Sequence, residues 1–187
     1  MNEINKNRRK WLSLGGIILG SALLPQSVLA VLPKTSKPRI LSFRNINTGD
    51  TFRGEFLVNR GFSSSSLKKI DYLMRDKRNN QIHKMDPRLF HKFARIQSNL
   101  GLKNSEIQII CGYRSPVSNS AMRRSGRGVA SNSYHTRGQA IDFRIDGVSL
   151  AKLRQAAENL NNGGVGYYPR SNFIHVDTGP VRTWRGS

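Results

Sequence analysis

From residue 39 onward, apolar positions alternate with polar ones in short runs, and these runs are separated by stretches of helical period. "RILSFRNINTGDTFRGEFLV" (39–58) reads as two strands joined at "NTGD", where Gly49 supplies the positive φ of a turn. "SSSSLKKIDYLMRDKRNN" (63–80) reads as a helix with a serine N-cap and a stripe of Leu67, Ile70, Leu73 and Met74. "DPRLFHKFARIQSNLG" (86–101) reads as a second helix, capped by Asp86, with Pro87 in its first turn and Gly101 at its end. Its buried face is Leu89, Phe90, Phe93, Ile96 and Leu100, which leaves His91 off the stripe as a surface residue and His83 in the connection before it. "EIQIIC" reads as a buried strand holding Cys111 as a packed thiol.

After Cys111 the alternation stops. Residues 112–138 are rich in Gly, Ser, Arg and Asn, with one short helix expected over Pro116–Arg124. Long irregular segments in a small domain tend to be functional. Strand pattern returns in "QAIDFRI", then a helix in "SLAKLRQAAENLNNGG" ending at Gly163, then strands in "GVGYYP" and "NFIHVDTG". The sum is an α+β fold: one domain, a mostly antiparallel sheet with helices packed on it.

The two late strands carry the chemistry. Alternation puts Ile141, Phe143 and Ile145 on one face and Ala140, Asp142 and Arg144 on the other. It separates Ile174 and Val176 from Phe173, His175 and Asp177 in the same way. If these strands are neighbours, Asp142 and His175 face one cleft, and His135 reaches it from the loop that Gly138 allows to turn. Two histidines and a carboxylate form a zinc-type ligand set with a fourth position left for water. Each residue alone is equally consistent with ordinary hydrogen bonding. Tyr167 and Tyr168, beside Gly163, Gly164 and Gly166, suit a cleft wall, with one of the two tyrosines expected in the core.

Charge and the first thirty residues say where such chemistry operates. The chain has 187 residues, 31 Lys and Arg against 11 acids, and a net charge of +20. Arg8 and Arg9 precede a 13-residue apolar run, Leu12 to Leu24, which ends in "SVLA". That run is shorter than the roughly 20 residues of a spanning helix. Residues 1–30 therefore read as a cleaved signal of the twin-arginine (Tat) type, which implies passage through the Tat translocase to the periplasm and no stable membrane span. Residues 31–38 read as a linker and 39–187 as the domain. The leader holds four basic residues and one acid, so residues 31–187 carry +17. Such an excess favours an anionic surface such as the cell wall, and export removes the case for nucleic acid. Arg123, Arg124 and Arg127 flank the metal loop as a basic rim or an attractor of carboxylates. A single cysteine excludes an intrachain disulfide.

Ser133-x-His135-x-x-Gly138-x-Ala140-x-Asp142 resembles the SxHxxGxAxD signature of the zinc D-Ala-D-Ala carboxypeptidase superfamily, which includes VanX-like dipeptidases, phage endolysins and the metal domain of hedgehog proteins. From "NRRK" through "SYHTRGQAIDF" to "GGVGYYPRSNFIHVDTGP" the chain is similar to an exported subgroup, the murein endopeptidases of the MepK type. The resemblance implies a hedgehog-like domain binding one Zn2+ through His135, Asp142 and His175. It implies that Arg114, in "CGYRS", steadies developing negative charge, and that Ser133 and Tyr134 shape the loop. The substrate it implies is the peptide stems of peptidoglycan, cut at crosslinks between diaminopimelate residues by a monomeric enzyme. A D,D-carboxypeptidase or D,D-endopeptidase of the same superfamily and a non-catalytic basic wall-binding module are the alternatives. Where many relatives carry a Glu three residues before the last ligand, this chain has Asn172. Asp177, on the strand face of His175 and roughly 7 Å away by strand rise, is the candidate general base, or else a turn-capping Asp.

Overall fold

The computed structural model describes residues 39–186 apart from 59, 60, 103 and 127. The leader, the linker and Arg127 lie outside the described residues. Eight strands form one mixed sheet in the order β3-β2-β1-β4-β5-β7-β6-β8. They are β1 (Arg39–Asn45), β2 (Thr51–Val58), β3 (Gly61–Phe62), β4 (Glu106–Cys111), β5 (Ala140–Ile145), β6 (Gly164–Tyr168), β7 (Phe173–Asp177) and β8 (Arg182–Arg185). Most neighbours are antiparallel; β1 with β4 and β6 with β8 are parallel. The architecture is α+β, and no helix among the described residues is long and apolar enough to cross a membrane.

The helices are α1 (Ser64–Leu73), α2 (Arg88–Asn99), α3 (Pro116–Arg124) and α4 (Leu150–Glu158). One face of the sheet meets α2 and α4, and the core sits there. Phe43, Phe93 and Phe143 are fully buried, with the Phe93 and Phe143 rings meeting edge to face at 4.7 Å. Tyr167 packs against this core, whereas Tyr168 lies on the opposite face of the sheet. That opposite face is where Asp142 and His175 emerge.

Two helices are shorter than their sequence pattern suggests. α1 stops at Leu73 rather than running to Asn80, because the Met74 carbonyl accepts from Tyr113 N–H (2.7 Å) and Asp76 folds the chain into a turn. The Asp76 carboxylate takes the N–H groups of Arg78 (3.0 Å) and Ser115 (2.9 Å), a local alternative to the helical ladder. α4 likewise ends at Glu158 rather than Gly163. The N-cap of α2 is Pro87 rather than Asp86, which sits one residue earlier and accepts from Arg88 N–H at 3.0 Å.

Candidate metal centre

The pairing register assembles the site. Cys111, Asp142, His175, Gly166 and Trp184 are successive cross-strand partners over β4, β5, β7, β6 and β8. Opposed residues on neighbouring strands present side chains to the same face. His135 joins this row from a single 3-10 turn, Tyr134–Arg137, whose N-cap Ser133 accepts from His135 N–H at 3.3 Å. The turn closes on Gly138 at φ +66°, where a Cβ would lie 2.3 Å from the Lys84 carbonyl oxygen. Both conditions require glycine.

Three donor atoms converge. His135 Nε2 lies 3.2 Å from His175 Nδ1 and 3.2 Å from Asp142 Oδ1, and His175 Nδ1 lies 2.8 Å from Asp142 Oδ1. A tetrahedral ion with bonds of about 2.05 Å holds its ligands about 3.3 Å apart. All three residues are buried. The far ring nitrogens settle the tautomers. His135 Nδ1 faces the Gly112 carbonyl oxygen at 2.7 Å, an acceptor, so it carries the hydrogen. His175 Nε2 faces the Asp177 carboxylate at 3.0 Å and does the same. Each ring then turns a lone pair toward the Asp142 carboxylate, and a buried cluster of that kind calls for a cation. Without a metal, a proton is the substitute. Burial pushes the His135 imidazolium down, but Asp142 and Cys111 more than offset it and raise the group to about 10. Burial opposes charge on Asp142 too, and His135 with His175 holds its carboxyl well below the usual range. The donor set, its spacing and its outer partners fit zinc.

The other predicted residues lie around this centre. Arg114 is buried. Its N–H donates to the His135 carbonyl (3.1 Å), its Nη1 donates to Asn119 Oδ1 (3.3 Å), and its Nε has no partner. Cys111 is not the packed core thiol of the sequence pattern. It ends β4 half-exposed on the site face, with its sulfur within 4.8 Å of donor atoms of His135 and Asp142. The roughly 7 Å gap between His175 and Asp177 is replaced by the 3.0 Å contact, because the imidazole reaches along the strand. Asp177 also accepts from Gly164 N–H (2.9 Å), Gly179 N–H (2.9 Å) and both terminal nitrogens of Arg182 (3.1 and 2.6 Å). Burial raises its pKa, but these donors outweigh burial and hold the carboxyl well below the ordinary range. Asn172 is exposed at φ +55° in the turn between β6 and β7. Asn tolerates that left-handed conformation, which a Glu adopts poorly.

Sequence reasoning missed Lys92 and Trp184. Lys92 lies within α2, buried, and donates to the carbonyls of Asn162 and Asp177 behind the site. A lysine in an amphipathic helix reads as a surface residue. The Trp184 indole sits 5.1 Å from the His175 ring, in space that Gly166 leaves open. Its strand has no apolar alternation to announce it.

A protein of Haemophilus influenzae described as a probable peptidoglycan L,D-endopeptidase MepK is 67% identical over 186 residues, covering all of both chains. The peptidoglycan L,D-endopeptidase MepK of Escherichia coli K12 is 48% identical over 184 residues, 98% of this chain and all of that one. The family model described as peptidoglycan L,D-endopeptidase MepK matches residues 33–184, so the chain belongs to that peptidase family.

Proposed function

We propose that this chain is a zinc-dependent peptidoglycan endopeptidase that cuts L,D crosslinks between diaminopimelate residues. The observation that carries the proposal is the convergence of His135 Nε2, Asp142 Oδ1 and His175 Nδ1 with both histidine tautomers fixed from behind. One zinc per chain, held by these residues, would polarise the scissile carbonyl and acidify a water. Arg114 supplies a fixed positive charge near the oxygen on which negative charge builds. Asp177 holds the His175 ring rather than taking a proton. Five donors occupy its oxygens, and a carboxylate so stabilised is a weak base. Asp177 is therefore a poor acceptor for the water's proton, and the Asn172 side chain, an amide, accepts none. The exported chain, residues 31–187 at +17, acts as a monomer and draws the anionic peptide stems to it after Tat export to the periplasm.

The test compares the purified protein with His135→Ala for metal content and for release of crosslinked muropeptides. About one zinc per chain, lost with activity in the variant, supports the proposal. Disappearance of a D,D bond instead would move the substrate to the D,D-peptidase alternative. No metal and no products after zinc addition would leave a non-catalytic wall-binding protein.

A further inference from the structure

The open face of the sheet continues past the metal row. One two-residue step along the strands, about 7 Å, leads from Asp142 and His175 to Arg144 and Phe173, the next positions after the last registered pair, Phe143 with Ile174. Phe173 pairs with Tyr168, and their rings stack at 4.5 Å and 19°. The Tyr168 hydroxyl accepts from Trp184 Nε1–H at 2.9 Å, and Trp184 returns to the metal row beside His175. The three rings make one half-exposed aromatic strip, with Arg144 beyond Phe173. The Arg144 Nε is committed to Gln108 Oε1 at 2.7 Å, which aligns the guanidinium; its terminal nitrogens have no hydrogen bond to the described residues.

We infer that this strip is a subsite for an aliphatic side chain ending in a carboxylate: methylenes lie on Phe173, Tyr168 and Trp184, and the carboxylate reaches Arg144. A planar guanidinium presents the paired donors that a carboxylate takes. Aromatic faces bind methylenes without demanding a fixed rotamer. The distal end of diaminopimelate carries such a carboxyl, three methylenes from its proximal centre and beside an amino group. The inference rests on the proposed endopeptidase reading and adds to it a residue that selects the substrate.

The experiment uses two synthetic crosslinked peptides that differ in one group, the distal carboxyl of the residue at the scissile bond being a free acid or a primary amide. Wild-type enzyme should favour the acid by about tenfold or more in kcat/KM, the value of one charge-assisted hydrogen-bond pair. In Arg144→Ala the acid-to-amide ratio should fall close to one, and Arg144→Lys should keep part of it. A wild-type ratio of one, or an unchanged ratio in Arg144→Ala, overturns the subsite. A second readout does not need turnover. The two tryptophans are Trp11 and Trp184, so the full chain carrying Trp11→Phe reports from Trp184 alone. Titrating metal-free protein should change its emission at about tenfold lower concentration of acid peptide than of amide. Equal midpoints, or no change, overturn the subsite as well. If neither peptide is cut by zinc-loaded wild type, the endopeptidase reading fails, and the emission titration still decides the subsite.

Discussion

Asp177 and Lys92 show how much of this site's behaviour is set one residue behind the donor atoms. Asp177→Asn removes the charge that holds both His175 and Arg182. Zinc affinity should drop 10- to 100-fold, the usual cost of losing a ligand's outer partner, as read by competition with a chromogenic chelator. Unchanged affinity with a large loss of kcat would instead restore Asp177 as the base. Lys92 gives a pH signature. Burial, only partly offset by Asp177, lowers its pKa to about 8, against about 10.4 in an unfolded chain. Between those two values the unfolded state binds more protons, so this group makes stability rise with pH through that window. Thermal melts of Lys92→Met should lack that rise, and a wild-type curve without it would contradict the assignment. Strand alternation brought Asp142 and His175 to one face and left ordinary hydrogen bonding open; the family resemblance singled out His135, Asp142 and His175 as a set. The Asp177 contact was not legible, because strand rise measures backbone and ignores the reach of an imidazole. Lys92 was hidden because nothing in a helical pattern says that two carbonyls wait for an ammonium.

At the scale of elements, the strands of the site announced themselves by period two, and α2 by its apolar stripe. β8 did not. "RTWR" has one large apolar residue, and it is a strand because β6 offers it a parallel edge. The parallel pairing of β1 with β4 is likewise a tertiary choice, made across the two intervening helices. Two variants test the joints between elements. Phe93→Ala empties the contact that seats α2 on β5 and should cost about 3–5 kcal/mol in denaturant unfolding. Gly138→Ala forces a side chain into left-handed backbone against Lys84. It should cost about 1–3 kcal/mol or more and lower zinc affinity with it, because the same turn aims His135. A Gly138→Ala protein with wild-type stability would mean that the 84–138 contact gives way.

The chain is strongly basic, with its donors on the face of one sheet opposite the core. Residues 31–187, at +17, should hold to isolated cell walls at low salt and release steeply as ionic strength rises, measured by co-sedimentation. Release independent of salt would assign retention to something other than charge. Arg8→Lys together with Arg9→Lys should trap the protein inside the cell if the leader is read as a twin-arginine signal, and cell fractionation would see it. The cross-strand row has one more consequence. A slip of one residue between β5 and β7 would set Asp142 opposite Ile174 or Val176 and put Asp142 and His175 on opposite faces of the sheet, one of them in the core. Folding and arming are therefore the same event. A cell that makes an enzyme able to open its own wall is protected from half-made copies, because any chain with the wrong register is inert as well as unstable.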